Sequence, residues 1–136
     1  MNHIAGADAE TPSLSTAFHA EMLAMHKHLA AGEHDAAFSR LERAHILGQK
    51  NTWQHTQVHL WMLRLGWKQR DVREVLGQLL RIPAALLFSR LWVPLGNTGG
   101  ANVSAIRPMP VPDDLAAILA GQLVKTAPSK RNPPTS

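Results

Sequence analysis

The sequence predicts an all-α protein. The expected architecture is a compact bundle of antiparallel helical hairpins, weakly tetratricopeptide-like, with an ordered glycine- and proline-rich C-terminal loop and a short last helix. Three observations predict it. Apolar residues recur at helical spacing between about residues 13 and 90, the pattern of helices with one buried face. Gly32, Gly48 and Gly66 interrupt that pattern, so the helices should be short and reverse direction between them. Gly32 and Gly66 lie 34 residues apart, with Phe38 matching Val72 and Leu41 matching Val75. That period belongs to a helical hairpin repeat, but one and a half repeats favour a bundle over a solenoid.

The first helix should start near Ser13, carry Phe18, Met22, Met25 and Leu29, and end at Gly32, a residue that accepts positive φ. The second should run from about His34 to Gly48, with Asp35 in its first turn, where the helix dipole favours an anion. The third should span about Thr52 to Leu65 and stop at Gly66. The fourth should begin near Gln69, carry Val72, Val75, Leu76, Leu79 and Leu80, and be kinked or ended by Pro83. The glycine-rich segment VPLGNTGGANVS follows, then PMPVP, whose alternating prolines exclude helix. Asp113 or Asp114 should cap a short helix from about Leu115 to Val124. Apolar residues within 93–112 imply that this loop packs against the bundle. Residues 1–12 and 126–136 read as disordered tails around one domain over 13–125.

Composition removes several function classes. The chain has 136 residues and no cysteine, which excludes disulfides, iron–sulfur clusters and thiol nucleophiles and suits a cytoplasmic protein. No secretory signal is visible, and the longest apolar run, Ile82 to Leu95, is interrupted by Pro83, Arg90 and Pro94, so no membrane span is expected. The net charge of +4 is concentrated between Arg64 and Arg90. A basic helix face of this kind is usually solvated; an acidic protein partner ranks below that, and no nucleic-acid motif is present. Trp53, Trp61, Trp67 and Trp92 read as core or groove residues.

The chemistry is concentrated in LERAHILGQKNTWQHTQVHLWML. Glu42 and His45 are three apart; His55 and His59 are four apart. Each pair therefore shares a helix face. Across an antiparallel hairpin, facing residues have nearly equal index sums, which sets Glu42 opposite His59 and His45 opposite His55. One turn rises only about 5.4 Å, so both layers can converge on one point. Three imidazoles and a carboxylate suit zinc or another divalent transition metal. Affinity should then fall as pH drops through about 6.5, the ordinary imidazole value. The bland alternative is a polar seam in which His45 and His55 hydrogen-bond to Glu42, Gln49 or Gln78. Gln49, Glu74 and Gln78 are candidates for an extra ligand or for supporting the ligands from behind. In the loop, Asn97, Thr98, Gly99 and Gly100 offer a weak phosphate cradle; turn formation is the commoner use of such residues.

The strings LERAHILGQ, HTQVH, REVLGQLLRI, VPLGNTGGANVS and PMPVPDDL occur in an order that resembles an uncharacterised bacterial domain-of-unknown-function family of small, helical, soluble proteins. The likeness covers about residues 37–119. It implies no established activity and no ligand assignment, but it does imply a link to heavy-metal efflux and resistance. Two function classes follow. One is a metal-binding accessory protein: a buffer, sensor or chaperone. The other is a helical interaction module, using the hairpin groove and basic fourth helix to hold an acidic partner or a second copy. An enzyme ranks third, because Glu74 is the one general base in view.

Overall fold

A computed structural model describes residues 11–126. It contains five helices: α1 (Leu14–Ala30), α2 (His34–Gly48), α3 (Thr52–Gln69), α4 (Val72–Phe88) and α5 (Asp113–Thr126). No strand occurs among the described residues. Helix α1 packs along α2 and α3 along α4; α2 also meets α3, and α5 lies against α1 and α2. None of these helices is long and apolar enough to cross a membrane. The tails expected from the sequence lie mostly outside the described residues, and Thr126 belongs to α5.

Local chemistry accounts for most helix starts. Ser13 accepts from Thr16 N–H at 3.1 Å, Asn51 from Trp53 and Gln54 N–H at 3.1 Å each, and Asp71 from Glu74 N–H at 3.0 Å. Each satisfies donors that the first turn leaves unpaired. Two expected boundaries move. Helix α3 does not stop at Gly66 but runs to Gln69, and Arg70 closes it at φ 58. Gly66 is instead a contact point: a Cβ there would lie 3.0 Å from Glu74 Cβ and Cγ, so its missing side chain lets α4 approach α3. Pro83 does not end α4, which continues to Phe88. Pro83 and Leu79 are both exposed, and water can satisfy the Leu79 carbonyl that the proline leaves free.

The core is built from α1, α2, α3 and α5. Phe18, Met25, Leu41, Val58 and Met62 are fully buried, and Leu115 nearly so. A Cβ on Gly48 would stand 2.8 Å from Phe18 Cε2, so the aromatic ring occupies the space that the glycine leaves. Phe18→Ala is expected to destabilise the chain by about 3–5 kcal/mol through lost burial and a residual cavity. Urea denaturation measures this directly, and a shift under about 1 kcal/mol would place Phe18 outside the core. Arg43 ties three helices together, pairing with Glu21 of α1 at 2.7 Å and with Asp114 of α5.

Helix α4 reverses the expected pattern. Glu74, Gln78 and Ala85 point inward, whereas Val72, Leu76, Leu79, Leu80, Leu86 and Leu87 are exposed, Leu80 at 78%. The apolar stripe predicted as core therefore faces solvent. A periodic stripe shows that a helix is two-faced, but not which face its neighbours require. Trp53, Trp67 and Trp92 are likewise exposed, while Trp61 packs against the core.

Candidate metal centre

The buried polar face of α4 meets the histidine faces of α2 and α3. His45, His55 and His59 converge there, 4%, 8% and 2% exposed. Their Nε2 atoms form a triangle: His45 to His55 at 2.8 Å, His45 to His59 at 3.2 Å, and His55 to His59 at 3.0 Å. The three side chains lie close enough to bind a metal ion.

Each outward-facing Nδ1 has an acceptor that fixes the tautomer. His45 Nδ1–H donates to the Asn97 carbonyl at 2.7 Å. His55 Nδ1–H donates to Ser89 Oγ at 2.7 Å; the Ser89 hydroxyl is itself committed as a donor to the Ala85 carbonyl. His59 Nδ1–H donates to Gln78 Oε1 at 2.6 Å. The Gln78 amide orientation is set by its NH2 group, which donates to Glu74 Oε1 at 2.6 Å and the Gly99 carbonyl at 2.9 Å. With Nδ1 protonated on all three rings, neutral imidazoles carry bare lone pairs on all three Nε2 atoms. Three lone pairs thus face one another at hydrogen-bond distance with no proton between them.

Burial keeps the rings neutral. It lowers the pKa of His55 to about 4 and that of His59 to about 3, with the neighbouring His55 charge adding to the effect. His45 is pushed well below the usual imidazole value by burial first and then by repulsion from His59 and His55. Burial thus favours the neutral form of each ring below the ordinary imidazole value.

Glu42 does not join this group. It is half-buried, and its pKa is raised by burial and by the nearby Glu74 carboxylate. Side chains lean toward the N-terminus of their own helix. In an antiparallel pair that leans His59 toward the His45/His55 layer and Glu42 away from it. Equal index sums set residues level only where side chains stand perpendicular to the helix axis, and the group close enough for one ion is His45, His55 and His59 without Glu42.

Glu74 and Gln78 stand behind His59: Gln78 touches its ring, and Glu74 holds Gln78 while its Oε2 accepts from Ala101 N–H at 2.8 Å. Gln49 is 2% exposed, and its Oε1 has no partner. The 93–112 loop folds over the histidines. Gly99, at φ 82, lies so close that a Cβ would stand 2.6 Å from His45 Cδ2. Asn97 secures the loop by accepting from Gly99 N–H and donating to the Ser104 and Arg107 carbonyls. Gly100 packs near Phe38, and Thr98 Oγ1 is buried without a partner. Of the four loop residues singled out in the sequence, Asn97 and Gly99 sit against His45. Ser89 went unnoticed in the sequence. The signal was a serine inside an apolar run, on the helical face shared by Gln78 and Ala85.

A family model described as "Protein of unknown function (DUF3703)" matches residues 12–119, a span from the cap of α1 into α5. The chain belongs to the DUF3703 family. No curated protein and no solved structure matches it. The residues that DUF3703 membership covers include all three histidines, Gln78, Ser89 and Asn97.

Proposed function

We propose that this DUF3703 protein binds one divalent transition-metal ion through His45, His55 and His59. In this reading it serves as an accessory protein, a buffer, sensor or chaperone, in bacterial cytoplasmic metal resistance. Zinc is the default ion, since three neutral imidazoles suit it. The observation that carries the reading is the bare Nε2 triangle backed by three satisfied Nδ1–H groups. A seam of histidines without metal would be expected to pair donors with acceptors, not acceptors with acceptors. His45, His55 and His59 would hold the ion through their Nε2 atoms, and three protein ligands would leave room for a further ligand. The unit that does this is a single helical domain over 13–125.

Gln78 is proposed to orient His59 and raise its basicity. Gln78→Leu should lower zinc affinity by about 10- to 100-fold, the usual cost of losing such a support, with His45 and His55 still in place. Competition against a chromophoric chelator measures this. Unchanged affinity would remove Gln78 from the metal centre.

The exposed α4 face favours a second role, as an interaction module through self-association. Exposed apolar patches of this continuity mark interfaces more often than free surface. The partner surface would then be the leucine face rather than the basic one. Light scattering should give a dimer for the native chain and a monomer for Leu76→Asp/Leu80→Asp. A monomeric native chain at high concentration would count against the role.

A further inference from the structure

Between the C-terminal end of α2, α3, α4 and the loop after α4 lies a cavity of ≈ 200 Å³. The three imidazoles form part of its wall, and Ala85, Phe88, Trp92 and Ile106 supply apolar surface. Its one charged lining group is Arg81. The Arg81 guanidinium donates to the Val103 carbonyl from Nη2 at 2.7 Å, but its Nε–H is buried without a partner. Glu74 is the carboxylate that acts on Arg81, yet both its oxygens are already committed, one to Gln78 and one to Ala101.

Arg81 thus stands beside the proposed cation site as the one charged group lining the space, while its countercharge Glu74 lies outside that lining. Phe88, Trp92 and Ile106 are themselves more than half exposed, so the space is a partly open cleft in which two cationic centres still repel each other. An anion between them would complete the metal's coordination and offset the charge that Arg81 brings to the lining.

We propose that this cavity takes a small, weakly hydrated monoanion as fourth ligand to the metal, held by Arg81. The inference rests on the metal reading above. The volume suits a few atoms, since water occupies about 30 Å³ per molecule in the liquid; a nucleotide is too large. Apolar walls disfavour strongly hydrated anions such as phosphate and sulfate, which would give up more solvation than the site returns.

The test uses the full chain loaded with cobalt(II), whose visible spectrum reports its ligands. Titration with thiocyanate at constant ionic strength should change the spectrum saturably. The neutral sulfur donor thiourea should bind at least about tenfold more weakly, the difference that one charge-assisted hydrogen bond makes. Arg81→Met should weaken thiocyanate by a similar factor and leave cobalt bound. A cobalt spectrum indifferent to thiocyanate would overturn the proposal while leaving the metal site intact. So would equal affinity for thiourea, which needs no variant to fold. Absence of cobalt binding would overturn the metal reading itself, and the anion site with it.

Discussion

Zinc binding should disappear when His55 and His59 are replaced together by alanine, while the far-ultraviolet spectrum stays helical. Complete ligand sets bind zinc with about 10–16 kcal/mol at neutral pH, so losing two of three ligands should cost on the order of 10⁴-fold or more. The helices should survive because neither ring belongs to the apolar cluster around Phe18, Leu41 and Met62. Some stability will still be lost, since Ser89 Oγ and Gln78 Oε1 give up their imidazole donors at about 1–3 kcal/mol for each acceptor left buried and unpaired. Calorimetry on the native and double-variant chains measures both affinities. Equal values would remove the triangle from metal binding. Glu42→Gln is the companion variant: it lies outside the triangle, and its affinity should stay within a few-fold of native.

Without metal, the folded chain should be sensitive to mild acid, and the histidines set the direction. In the unfolded chain each imidazole takes up a proton as pH falls below about 6.5. In the folded chain His55 resists until about 4 and His59 until about 3, with His45 also displaced downward. Between those limits the unfolded state binds more protons, so stability is complete above about 6.5 and declines as pH falls. The slope reaches about 1.4 kcal/mol per pH unit for each histidine. Glu42 acts in the opposite direction, because its folded pKa is raised, but one carboxylate faces three imidazoles. Asp114, held down by Arg43, loses its contribution only below the ordinary aspartate range. Zinc at about a hundred times its dissociation constant should restore about 2.7 kcal/mol and move the acid midpoint lower. Urea midpoints between pH 7.5 and 4.5, with and without zinc, provide the measurement. A metal-free chain equally stable across that range would contradict the burial of neutral rings.

The helices were legible because their determinants are local. Ser13, Asn51 and Asp71 cap them through contacts within three residues, and Phe18, Met22, Met25 and Leu41 carry an apolar period that one turn reveals. The pairing of α2 with α3 was legible for the same reason, since few residues separate them; that brought His45, His55 and His59 into one reading. What the sequence left open depends on direction and on distant neighbours. Glu42 and His59 looked equivalent by position, and only the lean of side chains along two opposed helices separates them. The orientation of α4 was not encoded in its own stripe. Its polar face turns inward because His59 and the Gly99 and Ala101 backbone present donors and acceptors that Gln78 and Glu74 satisfy, leaving Leu76 and Leu80 outside. Ser89 and the Asn97 carbonyl reach the histidines from 34 and 52 residues away in the chain. Contacts over such separations have no periodic trace, because they arise only once α4 and the loop after it have closed over α2 and α3.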